Sequence, residues 1–304
     1  MVGGARMSAQ AIKTSGGDRA FYAVIYSGIL LLTLSVLYPV IYVISSSLSS
    51  GIAVSSGKVV LLPVDFSLEG YNRVFQYQRV WTGYRNTLFY TVFGTLNNVI
   101  MTLICAYPLS RRDLAGHKYF MLLFVFTMYF NGGLIPNYLL MRGIGYLNTI
   151  WVIIMPGAFS VYMMIVCRTF MQSSIPADIL EAAKIDGCSD FRYFIMFILP
   201  LSKPIIAVMT LQYAVGHWNS FFSSFIYLTN RNLYPLQIFL REILVMSQIT
   251  PSDFINEGTL SIMQGMADLI KYALIVVATA PIMCVYPFIQ KYFVQGIMIG
   301  SLKG

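Results

Sequence analysis

Residues 181–200 read EAAKIDGCSDFRYFIMFILP, a polar stretch with five charged side chains that lies between long apolar runs. Of the 304 residues in the whole chain, 57% are hydrophobic and 11% are charged. A soluble domain usually carries about 25% charged residues, so this composition indicates that lipid surrounds much of the chain. The polar stretch is therefore the feature that a membrane fold has to explain.

The apolar runs predict an all-α polytopic membrane protein with six transmembrane helices. A crossing takes about 20 mostly apolar residues, because every backbone amide must be satisfied within its own segment. The first run is longer than a secretory signal core and no small-residue cleavage pattern follows it, so we interpret it as a retained anchor. The third is interrupted by Asn131 and Pro136, and a broken helix survives there only inside protein or beside water. The predicted spans are Phe21–Ile44, Thr87–Leu109, Tyr119–Phe130 with an irregular continuation to Leu140, Thr149–Cys167, Leu201–Phe222 and Tyr272–Ile289.

Basic residues orient the predicted bundle. SRRDLAGHK at Ser110–Lys118 is a short, strongly basic loop of the kind that stays in the cytoplasm. With six spans, both termini are then expected in the cytoplasm. The connections Ser45–Arg85 and Thr229–Lys271 are expected outside, where they either receive an extracellular partner or only cap the bundle. The formal net charge of +8 follows from the same rule and requires no nucleic acid.

No pattern in the sequence is typical of a catalytic or metal centre. His117 and His217 are far apart and no HExxH motif is present, and we expect His117 to be solvated in the basic loop. No GxxxxGK[ST] loop is present, so ATP would have to be hydrolysed by another polypeptide. The cysteines lack the paired spacing of a zinc site or disulfide framework and are expected to pack inside the protein: Cys105, Cys167, Cys188 and Cys284.

Residues 175–200, the polar stretch and the residues before it, predict two short helices joined by a sharp turn, and we call this segment the polar hairpin. Pro176 suits a first helical turn, and Asp178 and Glu181 place negative charge near the positive end of the helix dipole. Gly187 can adopt the left-handed conformation that ends a helix. Apolar or small residues recur at helical spacing in the first helix at Ile175, Ile179, Ala182 and Ala183.

The second helix of the polar hairpin is predicted to start after a cap at Ser189 or Asp190 and to end where Pro200 begins the fifth span. Its apolar stripe is Phe191, Phe194, Ile195 and Ile198. Small Ala182 and Ala183 would let another protein approach closely. The alternative is an amphipathic pair that rests in the lipid interface, and the residues alone leave both interpretations open.

Glu181–Ala183, Gly187 and FILP at Phe197–Pro200 resemble the EAA signature of permease subunits in binding-protein-dependent ABC importers. The usual pattern has isoleucine where this chain has Phe197, an apolar exchange. Further stretches resemble the carbohydrate-uptake, maltose-permease-like branch, and the resemblance covers roughly 18–304. NGGLIPNYLL and AVGHWN resemble the subgroup that serves complex or acidic oligosaccharides such as alginate and pectin fragments. The other stretches are SIPADILEAAKIDG, LPLSKPIIA, GHWNSFFSSFIYL, YPLQ and KYFVQGIMIGSLKG.

This resemblance implies a type I ABC importer permease fold in the bacterial plasma (inner) membrane, with the polar hairpin seated in a groove of an ATPase subunit. The chain would be a non-catalytic subunit, and ATP and Mg would bind to the ATPase. The implied partners are a second homologous permease chain, two ATPase subunits, an extracellular solute-binding protein, a sugar or oligosaccharide and the lipid bilayer. The residues expected to couple to the ATPase are Glu181, Ala182, Ala183, Asp186, Gly187, Leu199 and Pro200.

The expected organisation has four parts. Residues 1–18 form a cytoplasmic tail, and residues 19–80 hold the first transmembrane helix and an extracellular connection. Residues 81–294 form the importer transmembrane domain, which includes the coupling loop 174–200. Residues 295–304 form a second cytoplasmic tail.

A group of polar residues marks a candidate substrate path in the outer half of the fifth span. Polar side chains in a span are costly and usually face the bundle interior or water. Trp218 could stack on a sugar face while Gln212, His217 and Asn219 exchange hydrogen bonds with hydroxyls. Alternatively, Trp218 belongs to the outer aromatic belt and the polar groups cross-link helices. Asn131 is a further candidate for the path, and the same question applies to Asn97, Asn98 and Asn137.

An ion-driven carrier without an ATPase is the alternative from another functional class. Such carriers commonly place ionisable residues or paired broken helices at mid-membrane. Here no Asp or Glu falls inside a predicted span and only one span is predicted to be broken. The sequence therefore favours the ATP-driven importer.

Overall fold

The computed structural model describes residues 16–246, 265–285 and 287, and it is helical with no β-strand among them. The all-α prediction is therefore confirmed for this part of the chain. Most of the predicted first tail, residues 247–264 of the second outer connection, the end of the sixth span and the predicted tail 295–304 lie outside the described residues.

The helices are numbered in chain order. The first seven are α1 (Gly16–Ser47), α2 (Gly51–Ser55), α3 (Glu69–Gln76), α4 (Gln78–Ser110), α5 (His117–Tyr129), α6 (Leu134–Gly143) and α7 (Trp151–Ile154). The next are α8 (Val161–Ser174), α9 (Ala177–Ile185), α10 (Asp190–Leu201, with a π-helical turn at Phe194–Ile198), α11 (Lys203–Asn219), α12 (Phe222–Tyr227), α13 (Leu236–Met246) and α14 (Gly265–Val285).

Three helices, α1, α4 and α14, are each long and apolar enough to cross a membrane. Two bent pairs reach that length only together: α5 with α6, bent by 110°, and α10 with α11, bent by 79°. Length and composition thus give three spans among the described residues, or five if each bent pair counts as one. The number six stays a prediction.

The predicted fourth span, Thr149–Cys167, is wrong as a single helix. The chain leaves the helical conformation between α7 and α8, and we call residues 155–160 the break. Pro156 has no N–H to donate to a preceding turn, and Gly157 adopts a left-handed backbone with φ +68°. Both residues therefore favour an interruption within this apolar run.

The third and fifth spans differ from the prediction in detail. The break in the third is confirmed, but its continuation is a regular helix, α6, because Gly133 turns the chain at φ +87° and Pro136 fits a first turn that needs few N–H donors. The fifth helix begins at Lys203 rather than at Pro200, which lies in the last turn of α10. It ends at Asn219, and α12 follows as a separate short helix.

The longest helix, α4, lies at the centre of the fold and packs chiefly against α11 and α8. The largest cluster of buried side chains joins the second half of α4 to α8, α11 and the polar hairpin. A second cluster joins the first half of α4 to α3, α13 and α14. We call the two ends of the bundle the hairpin end, where α4 finishes, and the opposite end, where α4 starts.

Side chains of α4 organise the connection before α13 at the opposite end. The buried Asn86 donates from Nδ2 to the carbonyl oxygens of Asn232, at 2.6 Å, and Tyr234, at 3.0 Å. Tyr90 donates to the Leu233 carbonyl at 2.9 Å, and the Leu236 amide donates to Thr87 Oγ1 at 2.8 Å. These bonds tie the 3-10 turn at Arg231–Leu233 and the start of α13 to α4.

Asn86→Ala should lower the free energy of unfolding by about 1–3 kcal/mol, because the carbonyl groups of Asn232 and Tyr234 both lose the donor that the buried Asn86 supplies. Thermal unfolding of the purified chain in detergent measures the change. Asn137→Ala is the matched control, since Asn137 is exposed on α6. Equal unfolding temperatures for the two variants would contradict the role of Asn86.

Candidate functional site

The turn of the polar hairpin is a Schellman motif centred on Gly187. The amide of Gly187 donates to the Lys184 carbonyl at 3.1 Å, and the amide of Cys188 donates to the Ala183 carbonyl at 2.9 Å. Gly187 has φ +72°, the left-handed conformation that this motif requires, so the prediction for this residue is confirmed. Pro176 lies one position before α9, as its N-cap, rather than within the first turn.

The second helix of the polar hairpin starts as predicted but presents a different face to the core. Ser189 caps it by accepting a hydrogen bond from the Arg192 amide at 3.4 Å. Phe194 and Ile198 pack inward, whereas Phe191 is 74% exposed and Ile195 is 46% exposed. Tyr193, directly before the π-helical turn, is buried instead.

The tip of the polar hairpin exposes large apolar side chains among charged ones. Ile185 is 87% exposed, next to exposed Ala182, Glu181 and Asp186. Ala183 was expected to face a partner with Ala182, but it is buried against the core of this chain. Leu199 also packs on that core, whereas Pro200 is exposed. The accessible residues of the expected coupling set are therefore Glu181, Ala182, Asp186, Gly187 and Pro200.

Four charged side chains form an ion cluster beside the polar hairpin: Arg111, Asp113, Lys184 and Asp190. Arg111 donates to Asp113 through Nε, at 2.9 Å, and Nη2, at 2.5 Å, and through Nη1 to Asp190. Lys184 donates to Asp113 at 3.2 Å. The guanidinium hydrogen bonds keep the pKa of Asp113 well below its ordinary value, and the two carboxylates raise the pKa of Arg111. Arg111 and Asp113 are therefore both charged at neutral pH.

His117 is not a solvated surface residue as expected. It is half-buried at the start of α5, and Arg168 of α8 lies 2.9 Å from its Nε2. A guanidinium only donates, so His117 accepts this bond. Arg168 also donates to the Leu109 carbonyl at 2.8 Å and thus caps the end of α4.

A polar cluster joins α4, the break and α11, with Asn98 at its centre. His217 donates from Nε2 to Asn98 Oδ1 at 2.7 Å, because an amide oxygen only accepts. Asn98 Nδ2 in turn donates to the Gly157 carbonyl at 2.8 Å. Asn97 donates to the Ile154 carbonyl at 3.3 Å. His217, Asn97 and Asn98 therefore cross-link helices, as one of the two interpretations predicted.

A second arm of the polar cluster runs through Tyr213 and Thr102. The Ser160 amide donates to Tyr213 Oη at 3.0 Å, and Tyr213 Oη lies 2.7 Å from Thr102 Oγ1. The Thr102 hydroxyl donates its one proton to the Asn98 carbonyl at 2.6 Å, so the bond between Tyr213 and Thr102 is donated by Tyr213. The break thus obtains its hydrogen bonds from side chains of α4 and α11.

Trp218 is buried between helices rather than placed in an exposed aromatic belt. Its Nε1 donates to the Ala278 carbonyl of α14 at 2.9 Å, and its ring meets Tyr84 edge-on at 6.3 Å. It also lines a largely apolar cavity of about 590 Å³ between α4, α11 and α14, at whose edge Arg85 lies. This position supports a structural role, and contact with sugar stays a prediction.

The remaining path candidates are not brought together. Gln212 and Asn219 are exposed on α11, and Asn131 and Asn137 are exposed around the bend between α5 and α6. Asn131 Oδ1 accepts from the Gly133 amide at 2.9 Å and so stabilises that bend. Of the cysteines expected to pack inside, Cys167 is buried, Cys105 and Cys188 are half-buried and Cys284 is exposed.

Three residues of the polar cluster escaped the sequence-based prediction: Gly94, Thr102 and Tyr213. The last two are polar residues in predicted spans, which is the signal that identified Asn98 and His217. Gly94 gave no such signal. It lets α4 approach His217, because an added Cβ would lie 2.5 Å from imidazole atoms.

Gly94→Ala should destabilise the chain by about 1–3 kcal/mol, because the methyl group forces His217 away from Asn98. Gly216→Ala, one residue before His217 on α11, is the matched control: its added Cβ meets nothing within 4 Å. Thermal unfolding in detergent should separate the two variants. Equal loss in both would contradict close packing at Gly94.

The chain is similar in sequence to known transport proteins over most of its length. Residues 80–299 match the family described as "Binding-protein-dependent transport system inner membrane component". The chain is similar to the polygalacturonan/rhamnogalacturonan transport system permease protein YtcP of Bacillus subtilis (strain 168), with 39% identity over 94% of this chain and 99% of that protein. It is also similar to protein LplC of the same organism, with 38% identity over 88% and 89% of the two chains.

A solved structure has a similar fold. It is the crystal structure of a bacterial ABC transporter involved in the import of the acidic polysaccharide alginate. The TM-score is 0.82 and the sequence identity 36%, and the match covers 92% of this chain and 99% of the other.

Proposed function

Because the chain belongs to the binding-protein-dependent transport system inner membrane components, we propose that it is the permease subunit through which an ATP-driven importer takes up acidic oligosaccharides. The observation that carries the substrate class is the 39% identity over 94% of the chain to a polygalacturonan/rhamnogalacturonan permease. The alginate importer agrees with it in chemistry, since both polymers are built from sugar acids. The chain itself breaks no bonds.

The polar hairpin is the proposed docking element for an ATPase subunit, which would bind ATP and Mg. Exposed Ile185 and Phe191 supply apolar area, and Glu181 and Asp186 supply charges that form no ion pair within the described part of the chain. An apolar centre with polar residues around it suits a protein interface. The hairpin end, and with it both termini, would then lie in the cytoplasm, with the chain in the bacterial plasma membrane.

A second permease chain, a second ATPase subunit and an extracellular binding protein would complete the importer. ATP and the loaded binding protein would both favour the outward-facing state, because a ligand shifts an equilibrium only by its differential affinity. Gln212 and Asn219 are exposed polar side chains on the largely apolar α11, and Asn131 is exposed at the bend between α5 and α6, so we propose that they line the sugar path. Buried Trp218 and half-buried His217 would support its wall.

An ion-driven carrier is disfavoured by the placement of acidic residues. In the helices that form candidate spans, alone or as bent pairs, the described acidic residues are Asp18, Asp190 and Asp268. All three lie in the first four residues of α1, α10 and α14. A proton or sodium relay would need such groups at mid-membrane.

Substrate class can be tested in the importer complex reconstituted in liposomes with its binding protein. We expect an oligogalacturonide to stimulate ATP hydrolysis, because its carboxylates are the feature that the relatives' polymers share. A neutral oligosaccharide of equal length is the matched control. Equal stimulation by both ligands would refute the acidic substrate class while leaving the permease role intact.

Gly187→Val should lower sugar uptake and weaken the association with the ATPase, because a β-branched residue opposes the left-handed backbone of the turn. The expected cost is about 1–2 kcal/mol or more at this residue. Gly187→Asn is the control, since asparagine tolerates this conformation. Co-purification of the ATPase and uptake by vesicles are the measurements. Normal values for the valine variant would count against the coupling role.

A further inference from the structure

The ion cluster connects three segments that are distant in sequence. Arg111 and Asp113 belong to the loop after α4, Lys184 lies in the last turn of α9, and Asp190 is the first residue of α10. Arg111 is at the centre, and its side chain is only 15% exposed although both carboxylate partners are largely open to solvent. Both helices of the polar hairpin are thus linked to the end of the same long helix.

We propose that the ion cluster is a positioning element that fixes the angle of the polar hairpin to α4, so that movement of the hairpin reaches the transmembrane helices. This inference rests on the proposed docking of an ATPase to the hairpin. Arg111 is the positioning residue: it would touch neither ATP nor sugar.

The apolar contacts of the hairpin leave a need for such an element. Tyr107 at the end of α4 meets the Phe194 ring at 5.0 Å and the Tyr193 ring at 6.5 Å. Ring contacts of this kind constrain direction only weakly, because several ring arrangements over a range of distances are favourable. A guanidinium that makes two parallel bonds to one carboxylate and another to a second carboxylate does fix direction. The cluster therefore supplies the angular constraint.

The far end of α10 would be the point where this angle changes. After Leu201 the chain turns by 79° into α11, and Ser202 at the bend is buried with a hydroxyl that has no partner in the described structure. No side-chain bond of Ser202 therefore holds the bend. A hinge at this end and the ion cluster at the other would convert a push on the hairpin tip into displacement of α4.

The small contribution expected from the ion cluster to stability distinguishes a positioning role from a role in folding. Salt bridges between exposed side chains contribute little to stability, and the partners of Arg111 are exposed. Loss of the cluster should therefore leave the protein folded and inserted. Its effect should appear instead in the amount of ATP spent for each sugar molecule moved.

The test uses the complete importer in liposomes and compares R111A with wild type. We expect the ATPase to co-purify normally, while the ratio of ATP hydrolysed to oligosaccharide imported rises several-fold. R112A is the matched control, because Arg112 is exposed and forms no ion pair among the described residues. An unchanged ratio in R111A, or an equal rise in R112A, would overturn the proposal.

Two further variants distinguish loss of coupling from simple loss of folding. D190N keeps the size of an exposed side chain and should raise the ratio as R111A does. R111D combined with D190R places the guanidinium on the hairpin opposite two carboxylates of the loop, and it should lower the ratio again. Failure of the double variant to recover any coupling would contradict the directional role of the cluster.

Failure of the docking function and failure of the positioning role would give different results. If the ATPase does not co-purify with the wild-type chain, the docking function itself is wrong. If the ATPase binds and wild-type transport is coupled, but R111A behaves like wild type, only the positioning role of the ion cluster is wrong.

Discussion

The backbone of the break leaves the helical conformation, so its polar groups need hydrogen-bond partners other than the next turn of a helix. The carbonyls of Ile154 and Gly157 and the amide of Ser160 instead find side chains of α4 and α11. Asn98 donates from its amide nitrogen to the Gly157 carbonyl of the break, and its amide oxygen accepts a hydrogen bond from His217. The interruption between α7 and α8 therefore depends on polar residues that would be costly anywhere else in a span.

The same helix carries both the polar cluster and the contacts at its two ends. Asn86 holds the connection at the opposite end, Asn98 holds the break, and Arg111 follows directly after the last turn. With 33 residues, α4 is roughly 50 Å long. One rigid element thus connects the surface proposed for the ATPase to the opposite side of the bundle, as transport by alternating access requires.

Sequence patterns predicted the class of fold, the turn at Gly187 and the interrupted third span, because each depends on local chemistry: apolar length, a left-handed glycine, a proline beside glycines. They did not predict the break after α7, since the apolar character of that segment hid the effect of Pro156 and Gly157. Nor could they place Ala183, which is buried against distant helices, or Ile195, which lies in the π-helical turn and is exposed. The ion cluster escaped prediction because it joins charges far apart in the chain.

The tip of the polar hairpin has a consequence for assembly. Ile185 is 87% exposed and Phe191 is 74% exposed, so the hairpin presents two large apolar side chains beside its turn. Exposed apolar area of this kind promotes unspecific association. The proposed docking of an ATPase would cover this area, so a permease chain without that partner would be prone to unspecific association.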